Sequence, residues 1–188
     1  MSAATAAVAR GLLTAEEFGE LPDTDCVMEL IQGAVVRMPP PKPRHGQVCS
    51  RTNRIVGNFV DAHDLGHVLC NDAGVITERD PDTVRGADVA FYSYDRLPKG
   101  PLPEAYLDQA PDIVWEVLSP DDRWTDVMQK TTEYLSAGVR VVCLLDPETK
   151  TAWLYYPDQP PRQLNAGDTV TLAGVLPGFS EPLSRFFQ

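Results

Sequence analysis

Pro111-Asp112-Ile113-Val114-Trp115-Glu116-Val117-Leu118-Ser119-Pro120 reads as a strand with apolar residues on both faces and one acid in its middle. Strands covered on both sides show this near-continuous apolar run. An unpaired carboxylate placed there costs several kcal/mol, so Glu116 requires a cation, a metal or a raised pKa, unless its strand is an edge with one wet position. Val84-Arg85-Gly86-Ala87-Asp88-Val89-Ala90-Phe91-Tyr92 is a second strongly β-prone segment, and it also carries an acid. Alone, Asp88 reads as a turn or strand-start aspartate. Two carboxylates on adjacent strands repel unless a divalent cation lies between them, and hard oxygen ligands select Mg²⁺ or Mn²⁺.

Outward from these strands the chain alternates helix and strand signals. Thr14-Ala15-Glu16-Glu17 is a capping box that opens a short helix ending near Pro22. Val27 to Met38 reads as a hairpin turning at Gln32-Gly33. Val48, Thr52, Ile55, Val56, Phe59 and Val60 recur at helical spacing, with Arg51 and Arg54 assigned to the wet side. Strands are expected at Val68–Cys70, Val75–Glu78, Val84–Tyr92 and Asp112–Leu118. A helix then opens with Ser119 as cap and Pro120 in its first turn, buries a stripe of Trp124, Val127, Met128, Thr131 and Leu135, and ends at Gly138. Val141–Leu145 and Thr151–Tyr156 form a further strand pair, and Thr169–Leu172 another short strand. The paired prolines Pro160-Pro161 read as loop, and the Phe186-Phe187 tail is expected to dock on the body. The pattern predicts an α/β fold with a central mixed β-sheet flanked by helices.

The chain's 188 residues with 43% hydrophobic content fit one domain spanning 1–188, with a core over about 13–156 and a strand and tail extension over 157–188. The 16 basic and 27 acidic residues give a net charge of −11, which as a global field repels nucleic acid and anionic membranes. The field is uneven. Leu30 to Val60 holds Arg37, Lys42, Arg44, Arg51 and Arg54 and no acid, so a local basic surface is allowed. Cys26, Cys49, Cys70 and Cys143 form no CxxC pair and read as reduced thiols. Neither the start of the chain nor any later run is long and apolar enough to cross a bilayer, so the expectation is a cytoplasmic protein.

Other chemistry-bearing residues are fewer. Lys130 lies four residues after Asp126 and four before Tyr134, and the simplest account is a solvated Asp126–Lys130 pair. Glu29, in Val27-Met28-Glu29-Leu30-Ile31, repeats the buried-acid oddity of Glu116. His45 opens the arginine-bearing helix, where it can meet phosphate or simply face water. His63 and His67 are four apart with Gly66 between them, which argues against a zinc pair. No GxSxG, GxxxxGK[ST] or GxGxxG pattern supports a serine-hydrolase, P-loop or dinucleotide site.

The order Glu29-Leu30-Ile31-Gln32-Gly33, His45, Arg85-Gly86-Ala87-Asp88-Val89-Ala90-Phe91, Pro111 to Pro120, then Asp126 to Lys130 and Tyr134, resembles the Uma-two family of bacterial "putative restriction endonucleases", a branch of the PD-(D/E)xK nuclease superfamily. The resemblance covers about Leu13 to Tyr156. It implies a restriction-endonuclease-like core, with Asp88 and Glu116 as ligands of Mg²⁺ or Mn²⁺ and Glu29 as an accessory acid. Two positions depart from the superfamily pattern: Leu118 stands where its lysine follows the glutamate, and Ala87 stands where a proline precedes the aspartate. The family pattern assigns the lysine's role to Lys130.

These readings imply a metal-dependent endonuclease with catalytic residues Glu29, Asp88, Glu116 and Lys130. Lys42, Arg44, His45, Arg51 and Arg54 would face nucleic acid, in first place DNA, with a homodimer as the form many double-strand cutters take. The competing class is a non-catalytic nucleic-acid-binding or oligomeric scaffold on the same fold. A small-molecule phosphodiesterase ranks third.

Overall fold

In a computed structural model, residues 11–22 and 26–188 are described. The expectation about the start of the chain therefore falls largely on residues 1–10, outside that range. The elements are α1 (Ala15–Gly19), β1 (Val27–Ile31), β2 (Ala34–Met38), α2 (Pro43–His63), β3 (Gly66–Glu78), β4 (Thr83–Ser93), β5 (Ile113–Val117), α3 (Trp124–Ser136), β6 (Val141–Asp146), β7 (Thr151–Tyr156), β8 (Gln159–Leu164), β9 (Thr169–Leu172), β10 (Leu176–Pro182) and a 3-10 turn (Leu183–Phe187). The mixed α/β architecture expected from the alternation is present. Among the described residues no helix is long and apolar enough to cross a membrane.

Eight strands form one sheet in which β3 pairs along the whole of β4, antiparallel. With that edge of β4 occupied, β1 and β5 share the other. Leu30 pairs Val84 at one end, and Val89, Ala90 and Phe91 pair Trp115, Val114 and Ile113 at the other. The edge of β4 between these contacts, residues 85–88, lies in a fork of the sheet. Beyond it β5 runs parallel to β6, and β7 and β8 follow antiparallel.

Alternation divides the central strands between two cores. Ile113, Trp115 and Val117, with Val141, Cys143 and Leu145, pack against α2 residues Val48, Ile55, Val56 and Val60 and against the β9–β10 hairpin. Val114, Val142 and Leu144 face Tyr134 of α3 on the opposite side. Glu116 has the parity of Val114, which turns it toward α3. Each fully buried large side chain contributes about 1.5–3 kcal/mol. Phe186 is fully buried on the first core, so the tail docks as expected.

The Thr14 capping box forms, and the Gln32-Gly33 turn has φ of 48° and 76°, the left-handed pair that a two-residue hairpin requires. Four expectations need correction. Asp122 accepts the Ser119 N–H at 2.8 Å and closes a turn over 119–122, so α3 begins only at Trp124, with Arg123 at the cap position. That delay leaves Trp124 52% exposed, and the buried residues of α3 are Thr131 and Tyr134. The two strands placed at 68–70 and 75–78 are one strand, β3, carrying a bulge. Pro160-Pro161 lie inside β8, which is tolerated because β8 is an edge strand needing few ladder donors.

Candidate active site

The fork gathers acids from three strands. Asp88 comes from β4, Glu116 from β5 and Glu29 from β1. Their carboxylates take the place of a ladder: Gly86 N–H donates to Glu29 Oε1 at 3.1 Å, and Val117 N–H donates to Asp88 Oδ2 at 2.7 Å. From α3, Lys130 Nζ reaches Glu116 Oε2 at 2.9 Å, Glu29 Oε1 at 3.3 Å and the Gly86 carbonyl at 2.8 Å. Tyr134 donates its hydroxyl to Glu116 Oε1 at 2.8 Å. The amine thus turns to the sheet rather than to Asp126, and the four residues assigned to the site from sequence, Glu29, Asp88, Glu116 and Lys130, stand together.

Three further residues belong to the cluster and were not singled out by sequence reading. Arg85, 7% exposed, donates Nη1–H to Glu29 Oε2 at 2.8 Å and forks onto Glu133 at 2.6 and 2.9 Å, holding Glu29 in place from behind. Asp72 arrives through the β3 bulge, where the register shifts between Cys70 and Ala73, so that Asn71 and Asp72 together oppose Asp88. Both have positive φ, 68° and 55°, a conformation that Asn and Asp tolerate better than other side chains. The Asn71-Asp72 pair inside an otherwise β-prone run was the available signal. The bulge approaches closely enough that a Cβ at Gly86 would lie 3.0 Å from that of Asp72.

The electrostatics follow from an excess of acids. Glu29, Asp72, Asp88, Glu116 and Glu133 face Arg85 and Lys130, five formal negative charges against two positive ones. Burial pushes the Glu116 carboxyl up to about 7; Lys130 opposes this and Asp88 adds to it. Asp72 is likewise held above the ordinary aspartate range by burial and by Asp88. Burial opposes ionisation of Asp88 and Glu29 too, but His45 for the first and Lys130 with Arg85 for the second override it and lower both. Burial disfavours the Lys130 ammonium, yet the Glu116 and Glu29 charges raise its pKa above the lysine norm. A divalent cation would relieve this repulsion. The donors are carboxylates with lone pairs left beyond the bonds described, so the residues fit a hard cation such as Mg²⁺ or Mn²⁺.

A cleft of about 540 Å³ opens onto Glu29, Glu116 and Lys130, walled by Val36, Met38 and Pro39 of the hairpin side and by Asp121, Asp122 and Asp126 at the start of α3. The basic residues lie on and before α2. Arg54 is exposed, while Arg51 is half-buried with its Nε sequestered and unpaired, which corrects its assignment to the wet face. Arg44 donates to the Pro147 carbonyl, and Lys42 pairs with Asp121. His45 sits in the first turn of α2 with Nε2 3.4 Å from Asp88 Oδ2, at the site rather than in open solvent. His63 and His67 bond separate backbone carbonyls, of Phe59 and Pro98.

Comparison with known proteins agrees with this arrangement. A crystal structure titled as a putative nuclease belonging to DUF820, from Anabaena variabilis ATCC 29413, superposes with a TM-score of 0.81 at 23% identity, covering 93% of this chain and 97% of that one, and shows the same fold. No curated protein matches the sequence. The Uma2 family, described as "Putative restriction endonuclease", matches residues 15–184. With nearly the whole described fold inside that match, the chain belongs to the Uma2 family.

Proposed function

We propose that this protein is a metal-dependent nuclease that hydrolyses phosphodiester bonds of nucleic acid, with DNA as the first substrate to test. The observation that carries the reading is the convergence of Glu29, Asp88 and Glu116, from three strands, on the Lys130 ammonium in a fork of the sheet. Family membership and the nuclease-like fold support it.

Asp88 and Glu116 would hold Mg²⁺ or Mn²⁺, with Glu29 as the accessory acid. When bound, the cation would activate water and offset charge developing at phosphorus. Lys130, held by Glu116 and Glu29, would orient the attacking water and steady the developing negative charge, the work a lysine on β5 would otherwise do from position 118. Tyr134 fixes the Glu116 carboxylate, and Arg85 fixes Glu29. Arg54 and Arg51, with Lys42, Arg44 and His45, would track the phosphate backbone. Two of these cations already have partners in the fold, so contact with nucleic acid would be local and salt-sensitive.

Plasmid cleavage in parallel Mg²⁺, Mn²⁺ and EDTA reactions, beside Asp88→Ala and Glu116→Ala, tests the reading. Metal-dependent nicking that both substitutions reduce at least a hundredfold is expected. A parent protein inert in both metals, or a Glu116→Ala variant that cuts as well as the parent, would overturn it and favour the scaffold class.

A further inference from the structure

His45 and Cys49 lie four residues apart on α2, so both project from one face of the helix, and that face meets Asp88 of β4. His45 Nδ1 is 3.3 Å from Cys49 Sγ, and His45 Nε2 is 3.4 Å from Asp88 Oδ2. One donor atom from each of the three residues lies within 4.8 Å of the other two. Donors bound to a tetrahedral zinc at about 2.0 to 2.3 Å stand about 3.3 to 3.8 Å apart, so the spacing is nearly that of a formed site.

We propose that His45, Cys49 and Asp88 form a transition-metal site that takes Zn²⁺, distinct in ligand chemistry from the all-carboxylate Mg²⁺ site beside it. The donor set decides the class: an imidazole nitrogen and a thiol sulfur with one carboxylate select Zn²⁺ and its neighbours over Mg²⁺. The Asp88 and Cys49 contacts fall on opposite ring nitrogens, so binding turns the imidazole until one nitrogen faces both partners. The thiol gives up its proton to solvent as the sulfur–metal bond forms. Three protein ligands leave the fourth position to water.

The same three residues have the outline of a cysteine nucleophile, its base and an orienting acid. The surroundings argue against that use. Burial, and then Asp88, Asp72 and Glu116, all act to keep the Cys49 thiol protonated, a setting hostile to a free thiolate and eased by a bound cation.

Asp88 belongs to both sites, so Zn²⁺ at His45 and Cys49 would withdraw a ligand from Mg²⁺ and inhibit cleavage. This regulatory consequence rests on the nuclease reading; the zinc site itself does not. The test is therefore spectroscopic, a Co²⁺ titration of the reduced, metal-free full chain. The expected result is a thiolate-to-cobalt charge-transfer band saturating at one equivalent, removed by one equivalent of Zn²⁺ and unaffected by a hundredfold excess of Mg²⁺. Cys49→Ser should abolish the band, His45→Ala should weaken Co²⁺ binding at least tenfold, and Cys70→Ser, altering an exposed thiol, should leave it intact, with circular dichroism confirming each fold. No band in the parent, or a band that survives Cys49→Ser, overturns the proposal. Failure of plasmid cleavage with the band retained would sink only the nuclease reading, and cleavage without a band only this one.

Discussion

Lys130 Nζ stands 2.9 Å from Glu116 Oε2 and 3.3 Å from Glu29 Oε1, so one ammonium from α3 ties the central strand β5 to the hairpin strand β1. Removing it leaves two enclosed carboxylates facing each other and Asp88. Lys130→Met is expected to cost about 3–5 kcal/mol at pH 8, the scale for breaking a buried pair. Without the amine the Glu116 pKa rises further above its value of about 7, so the folded variant binds protons more readily than the unfolded chain. Its deficit should therefore shrink between pH 8 and pH 5. Urea unfolding at several pH values reads this out, and a deficit independent of pH would contradict it.

Arg85 couples Glu29 to Glu133, and the coupling can be measured. Arg85→Met should lose about 3–5 kcal/mol because both carboxylates are left unpaired. Adding Glu29→Gln should return part of that loss, giving an interaction energy of about 1–3 kcal/mol in a double-mutant cycle. Strict additivity would show that the two residues do not act together.

Asp82 anchors α1 to the sheet. Its Oδ2 accepts the Ala15 N–H at 2.7 Å and an Arg79 N–H at 2.8 Å, and its Oδ1 accepts the Asp80 N–H at 3.2 Å. Burial opposes the charge, but these bonds hold the pKa below the usual 3.8. A depressed folded pKa contributes stability that is complete above the unfolded value and lost as pH falls through the folded one. Asp82→Ala should cost about 2 kcal/mol at pH 7, and the gap between variant and parent should narrow only below about pH 4. Thermal melts from pH 7 to pH 2.5 would show it.

Two glycines predict opposite signs. A Cβ at Gly66 would lie 2.0 Å from the Tyr92 carbonyl oxygen and 2.9 Å from Ser93 Cα, both main-chain atoms that cannot swing away. Gly66→Ala should destabilise by about 1–3 kcal/mol. Gly57, inside α2 with nothing within 4 Å of its Cβ position, should gain about 0.5–1 kcal/mol as Ala. Denaturant midpoints of the two variants should move in opposite directions.

The strands that bury both faces were legible because nothing but a covered sheet explains runs such as Val141 to Leu145, and an acid inside such a run announced Glu116. Asp88 and Glu29 followed by the same logic. What pattern reading missed depends on contacts distant in sequence. Lys130 and Tyr134 look like a polar face of α3 until Glu116 is set opposite them, and the acid cluster itself decides which side of the helix is inward. Trp124 was placed inside because periodicity alone does not know that Asp122 turns back to Ser119 and delays the helix. Arg85 looked like a strand-edge cation, and only the approach of α3 supplies Glu133. Cys49, read as a thiol among apolar neighbours, gains meaning from a helix face that meets β4.

The β3 bulge has a consequence for how this chain can change. Because Asn71 and Asp72 oppose one residue of β4, the strand carries one residue more than its partner, and face parity is reset beyond that point. Deleting either residue would restore an even count and swing Val75, 1% exposed and packed in the core beneath α3, to the opposite face of the sheet. The carboxylate at position 72 and the packing of everything after it are thus protected by the same count, and a lineage could lose the acid by substitution but not by shortening the strand.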